Sequence, residues 1–347
     1  MIAHVINPDY SDLPLFADGP SLQAEAVAPR PRRHGSTPAP SAPPAPSAPP
    51  GVMTVNTLLD RYAIRRRLSK RTITLYQITL RHFAAFLEHE ATVDDLDDDI
   101  VSAFLLWRSS QPCRGRSVSA ASVEKDRCQI LAVWRYGARK RHCREFPDVS
   151  GWKVPKRVRP CYTTDDLERL LIAAGALHGN GERLAGKPTA WWWRTLIRVA
   201  YETGERRGGL MGLRWRDVDL DGLRIVFRAE TRKGGREDIV RAITPSLAAE
   251  LSDQAGGADA PVWPWTGPGT SFYHPFKTLC RRAGVPYHAL HGIRRTSASM
   301  VARNGGDATA HMAHSSQQVT RDHYLCPEIV GAKNGLEFLP EIGGAVK

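Results

Sequence analysis

Five side chains in the second half of the chain are of types that together can move a phosphodiester: Arg206, His291, Arg294, His314 and Tyr324. Arginine offers forked donors to non-bridging phosphate oxygens and carries a charge that does not titrate near neutral pH. A tyrosine hydroxyl can attack phosphorus, but its unperturbed pKa near ~10 calls for cationic surroundings and a base such as His291. Metal-independent transfer also needs a proton donor for the leaving oxygen and fixed cations around a phosphorane-like transition state. Taken singly, Arg206 or Arg294 reads as a surface or salt-bridge arginine and Tyr324 as a half-buried aromatic. Their joint occurrence, in order, carries the chemical reading.

The elements that must position these residues are legible in outline. Residues 1–52 hold 12 of the 25 prolines and end in Pro43-Pro44-Ala45-Pro46-Ser47-Ala48-Pro49-Pro50, a composition that cannot bury enough apolar area to offset ordering. This Pro-rich arm is read as disordered, and translation from Met53 would omit it. Residues 53–150 read as a small helical bundle. Within it Ile73, Tyr76, Leu80, Phe83 and Leu87 recur at helical spacing after Ser69 as N-cap. A second helix starts in the acid-rich Asp94–Asp99 stretch and buries Ile100, Phe104 and Leu105; a third runs from about Ser122 through Trp134. Residues 151–160, with Lys153, Lys156, Arg157 and Arg159, read as an extended basic linker. From 161 to 330 the pattern is mixed. Thr163 or Thr164 caps a helix, another spans about Thr189–Glu202, and Leu223, Ile225 and Phe227 alternate as a strand. Arg232–Arg236 forms a Gly-centred turn before the returning strand Ile239–Ile243, and helices follow from about Phe272. Trp191, Trp192 and Trp193 read as core and interface more than as a base-stacking platform. The tail is 331–347. The fold class is α+β, mostly α.

Charge points to the partner. The 347 residues carry 48 Lys+Arg against 36 Asp+Glu, a net charge of +12, which suits a polyanion such as DNA or RNA, or else a solvated basic surface. Arg65, Arg66, Arg67, Lys70, Arg71, Arg114, Arg116, Arg139, Lys140 and Arg141 fall at helix ends and loops, where cations reach a phosphate backbone while apolar stripes face inward. No window is long and apolar enough for a membrane helix, and no signal peptide is recognisable, so a cytoplasmic setting is expected. Six cysteines without a C-x-x-C pair argue against a zinc ribbon and a disulfide framework. The pairs His288/His291 and His311/His314 invite a metal reading, but no nearby acids complete a coordination sphere. Neither metal nor cofactor is expected.

Thr203-Gly204-Glu205-Arg206 leading to Leu213-Arg214-Trp215, His291-Gly292-Ile293-Arg294, and His314 followed ten residues later by Tyr324 resemble the tyrosine recombinases, the phage-integrase and Xer-type family. The likeness extends over roughly residues 55–330. It implies a helical, SAM-like core-binding domain that clamps DNA and a catalytic domain of the DNA breaking-rejoining type with a small β-sheet. By the same resemblance Arg206 and Arg294 hold the phosphate, His291 is the base, His314 the third histidine and Tyr324 the nucleophile. Lys233, in the hairpin turn, would protonate the departing 5′-oxygen. A 3′-phosphotyrosyl intermediate, specific double-stranded recombination sites and a homotetramer on DNA are implied, serving integration or excision of a mobile element. The family's acid three positions after the first arginine is Gly209 here, which leaves Glu205 or Asp217 to orient Arg206. Arg295 replaces a histidine, and Ala313 a glycine. A DNA-binding regulator that lost catalysis and a relaxing topoisomerase remain as alternatives.

Overall fold

A computed structural model describes residues 51–331, apart from positions 114, 156–158, 178–182, 233–234 and 270. Nearly all of the Pro-rich arm and the tail after 331 lie outside the described residues. The chain divides into two compact units at position 156/157. No described helix is long and apolar enough to cross a membrane.

The first unit is four helices: α1 (Val55–Arg66), α2 (Lys70–Leu87), α3 (Asp98–Ser110) and α4 (Ala120–Arg139). Each starts where a short polar side chain accepts from the first turn: Thr54 from Thr57 N, Ser69 from Thr72 N, Asp97 from Asp99 N and Ile100 N, and Ser119 from Ser122 N. The sequence pattern does not separate α1 from the helical stretch around it. Tyr76, Leu80 and Phe83 are buried as their spacing predicts, with Ile73 and Leu87 half-buried. On α3, Ile100 is half-buried and Val101 takes the core position, a shift of one residue set by the Asp97 cap. Phe83 meets Phe104 edge to face with centroids 5.1 Å apart. A two-residue hairpin, β1 (Pro112–Cys113) and β2 (Arg116–Ser117), links α3 to α4. Beyond α4 the chain folds back: Trp134 Nε1 donates to the Glu145 carbonyl (2.9 Å), Arg127 Nη1 to the Val149 carbonyl (2.9 Å), and Trp152 N to Glu124 Oε2 (2.8 Å).

The second unit opens with α5 (Thr164–Gly175), capped by Thr163 in a reciprocal box with Asp166. A short hairpin, β3 (Arg183–Leu184) and β4 (Lys187–Pro188), leads into α6 (Thr189–Thr203). α6 is the central helix: Trp191, Trp192 and Trp193 are all buried, so the triple tryptophan is core. Two of the indoles satisfy their N–H within it, Trp191 on the Glu250 carbonyl and Trp192 on that of Pro264. Gly204 ends α6 at φ +61°, a left-handed position glycine takes without strain, and α7 (Arg207–Gly212) follows. A three-stranded antiparallel sheet, in order β5 (Val218–Asp219), β6 (Arg224–Phe227), β7 (Ile239–Ala242), pairs Val226 with Val240 and Phe227 with Ile239. Leu223 lies outside β6 at φ +51°, because Asp219 Oδ1 accepts from Gly222 N (2.8 Å) and closes the turn that feeds the strand. β5 is too short to alternate and gives no periodic signal. Helices α8 (Pro245–Ser252), α9 (Tyr273–Arg282), α10 (Ala289–Arg303), α11 (Ala308–Met312), α12 (Gln317–His323) and α13 (Pro327–Val330) complete the unit. The mixed, mainly helical class is as read from sequence. The Pro160 carbonyl accepts from Arg295 Nε at 2.9 Å, so this unit is anchored from residue 160 onward.

Candidate active site

Four of the proposed catalytic side chains meet where α10, the end of α11 and the end of α12 converge. Tyr324, the C-cap of α12, is 2% exposed and belongs to a small core with Ala298, Ala308 and Met312. Ser299 Oγ donates to the Tyr324 carbonyl (3.3 Å) and accepts from Cys326 N (2.8 Å), which fixes the backbone on both sides of the phenol. Around the ring stand His314 (centroids 4.3 Å), His291 (5.1 Å) and the Arg294 guanidinium, its carbon 5.3 Å from the centroid.

Arg294 is 1% exposed. Its Nη1 donates to the Gly204 carbonyl, tying α10 to the segment before Arg206. Nη2 donates to the Met312 carbonyl (3.0 Å) and His314 Nε2 (2.9 Å). Arginine has no acceptor, so Nε2 must present its lone pair and the His314 proton sits on Nδ1, which donates to Thr320 Oγ1 at 2.9 Å. His314 therefore holds Arg294 in place. Nε of Arg294 is buried without a hydrogen-bond partner among the described residues, a remaining donor for an anion. Burial, then the like charge of Arg206, pushes Arg294 down to about 10, still cationic at neutral pH. His291 is held well below 6.5 by burial and then by Arg295, Arg294, Arg206 and Arg159. It is neutral at pH 7.

Arg206 lies close enough to act electrostatically on both Arg294 and His291, and as N-cap of α7 it donates its backbone N–H to Glu205 Oε1 (2.8 Å). Lys233 lies outside the described residues. Its neighbour Arg232 is buried and pairs through Nε with Glu205 Oε2 at 3.0 Å. Among the described residues no group of three or more His, Cys, Asp or Glu is placed to hold a metal ion. Of the expected DNA contacts, Arg65, Arg66, Arg67, Lys70, Arg71, Arg139, Lys140 and Lys153 are exposed. Tyr62 and Tyr136 (5.6 Å) and Arg61 with His142 (3.2 Å) bring the C-terminal ends of α1 and α4 to one end of the first unit. Lys156 and Arg157 lie outside the described residues. Thr320 and Ser299 escape sequence reading, since a lone hydroxyl on a helix gives no motif.

Residues 55–139 match the family described as phage integrase, N-terminal SAM-like domain. A tyrosine recombinase XerC from Xylella fastidiosa is 28% identical over 255 residues, 70% of this chain and 81% of that protein. One from Xanthomonas campestris is 25% identical over 294 residues, covering 82% and 85%. The chain is thus similar to tyrosine recombinases over most of its length, and its first unit matches the SAM-like domain of phage integrases. A further relative, from Pseudomonas aeruginosa, is 27% identical over 221 residues, but only 50% of that protein's length is spanned. Two solved structures share the fold. A lambda integrase dimer bound to a COC′ core site has TM-score 0.58 at 17% identity, over 81% of this chain and 97% of that one. The Tn1549 transposon integrase with a circular intermediate DNA has TM-score 0.59 at 15% identity, over 83% and 100%.

The positions that depart from the tyrosine recombinase pattern have distinct surroundings. Glu205 fills the space beside Gly209, whereas Asp217 is committed to Arg228 Nε at 2.6 Å. Arg295 reaches back to Pro160.

Proposed function

We propose that the protein is a site-specific DNA recombinase that cuts and rejoins duplex DNA through a 3′-phosphotyrosyl intermediate. The observation that carries this reading is the packing of the Tyr324 phenol against Arg294, His291 and His314 at 4.3–5.3 Å. Arg206 and Arg294 bind the scissile phosphate and stabilise the charge that grows on its oxygens. The Tyr324 oxygen attacks phosphorus and its proton passes to neutral His291. The bond to the 5′-oxygen breaks, and Lys233 protonates the departing 5′-oxygen to give a hydroxyl, a task for which arginine holds its proton too tightly. Attack by a 5′-hydroxyl from a partner strand reverses the step. The ester is conserved throughout, so no nucleotide is hydrolysed.

Strand exchange between two duplexes calls for a homotetramer on DNA, and integration or excision of a mobile element is the use proposed. Arg65, Arg66, Arg67, Lys70, Arg71, Arg139, Lys140 and Lys153, with Lys156 and Arg157, would contact the phosphate backbone, and the protein would work at the nucleoid.

The test is a suicide duplex carrying the candidate attachment site, incubated with wild type and Tyr324→Phe. A covalent protein–DNA band from wild type, absent from the mutant, is the expected result. A band from both moves the nucleophile elsewhere. Tight, salt-sensitive binding without a band makes the chain a DNA-binding regulator.

A further inference from the structure

The Arg294 guanidinium rests on two carbonyls that belong to different elements, Gly204 at the end of α6 and Met312 at the end of α11. The separation of those carbonyls decides where its remaining donors point. His311, for which the family resemblance gives no role, fills the space between the two elements. A Cβ at Gly204 would stand 2.9 Å from His311 Nε2, 3.0 Å from Met312 Sδ and 3.3 Å from His311 Cδ2, so the imidazole and the thioether lie directly on the Gly204 backbone. The same Nε2 is 2.7 Å from Ser297 Oγ, a hydroxyl 3% exposed and one turn beyond Arg294 on α10. From β7, Arg241 Nη2 donates to the His311 carbonyl (2.7 Å) and to that of Ala310 (3.2 Å). Ring and backbone of His311 are thus both held, and the ring touches the end of α6 and α10 at once. Burial, then Arg241 and Arg294, pushes the imidazole down to about 4, so at neutral pH it adds no further positive charge beside the two guanidiniums.

We infer that His311 is a positioning residue: seated on Gly204 and hydrogen-bonded to Ser297, it sets the separation of the two carbonyls that hold Arg294 and so aims the guanidinium at the scissile phosphate. α11 is little more than one turn, Ala308–Met312, so its placement depends on the side chains packed against it more than on its own length. Without the ring, the end of α11 loses its seat on Gly204. The Met312 carbonyl then leaves Nη2 while Nη1 stays on Gly204, and Nε, the buried donor without a hydrogen-bond partner among the described residues, is turned away from its target. This inference rests on the strand-transfer reading for its kinetic consequences, though not for the packing itself.

Two measurements separate these. Cleavage is compared on suicide duplexes carrying a phosphate or a methylphosphonate at the scissile position. Methyl in place of a non-bridging oxygen removes the negative charge, and with it most of the need for an aimed guanidinium. On the phosphate duplex His311→Ala is expected to cleave about 10- to 100-fold more slowly than wild type, and Arg294→Ala more slowly still. On the methylphosphonate duplex both variants should recover most of that loss relative to wild type. His311→Gln, whose amide can reach Ser297, should keep most of the phosphate cleavage. A defect of His311→Ala equal on both duplexes, no defect, or a His311→Gln variant as slow as His311→Ala overturns the inference. Thermal melts of the full chain judge the packing without DNA. Ser297→Ala and His311→Ala should overlap in their losses, the double variant melting little below the worse single one, and full additivity overturns the contact. No covalent band from wild type on either duplex overturns the strand-transfer reading and the kinetic role with it, while the melts still judge the packing.

Discussion

Asp126 in the first unit and Glu205 in the second are both carboxylates buried among cations, and their surroundings are built differently. Asp126 is fully buried and takes Thr79 Oγ1 (2.5 Å), Arg108 Nε (3.0 Å) and Lys125 Nζ (2.8 Å), all from α2, α3 and α4. Glu205 is held by a backbone N–H in its own loop and by Arg232 in a turn. A buried charge must be paired wherever it sits, but the consequence of losing it depends on what its partners can do. Arg108 and Lys125 are half-buried and held on packed helices, whereas Arg232, more deeply buried, sits in a loop outside any helix or strand. The first carboxylate is therefore expected to serve cohesion and the second alignment.

Asp126→Ala tests the contrast at its strongest. It is expected to cost about 3–5 kcal/mol in urea unfolding by removing the buried acceptor that Thr79, Arg108 and Lys125 share, leaving two half-buried cations without their partner, against roughly 1–2 kcal/mol for Glu205→Gln. Equal losses would erase the distinction. Acid titration probes both units at once, because each holds one histidine pushed down to about 4, chiefly by burial: His82, then influenced by Arg108, and His311, then by Arg241. Below pH 6.5 the unfolded chain binds protons that the folded one refuses. Each contribution is thus intact above pH 6.5 and lost as pH falls toward about 4, by at most about 3 kcal/mol, less what the partly exposed rings recover from solvent. Chevrons or melts of His82→Gln and His311→Gln against pH assign the loss to each unit, and a flat profile removes the claim. The smallest effect on stability belongs to the exposed cations. Arg65→Ala, Arg66→Ala and Arg67→Ala together should leave folding within about 0.5 kcal/mol yet flatten the slope of DNA affinity against salt by about one unit for each phosphate no longer neutralised. An unchanged slope removes this cluster from the interface.

Much of the proposed catalytic set is legible because it is carried by residue type and order: Arg294, His291, His314 and Tyr324 meet at one point though spread over 34 positions. Amphipathic period exposes α2, and Ser69 and Thr163 announce their helices as caps. What stays hidden depends on side chains folding back. The tautomer of His314 follows from Thr320 and Arg294, and neither neighbour is visible in spacing. Glu205 and Asp217 are equal candidates in the sequence to replace the acid missing at Gly209, and only the filling of the space beside Gly209 by Glu205 and the Arg228 pair of Asp217 distinguish them. Strands as short as β5 are made by their partner, here Val218 against Ile225, and carry no period of their own.

The packing of Glu205 against Gly209 also constrains history. Any residue but glycine at 209 meets the Glu205 side chain, so a lineage that changes both must alter codon 205 first or pass through a strained protein. The two positions are expected to travel together among descendants of this chain, with Glu205 found only where 209 is glycine.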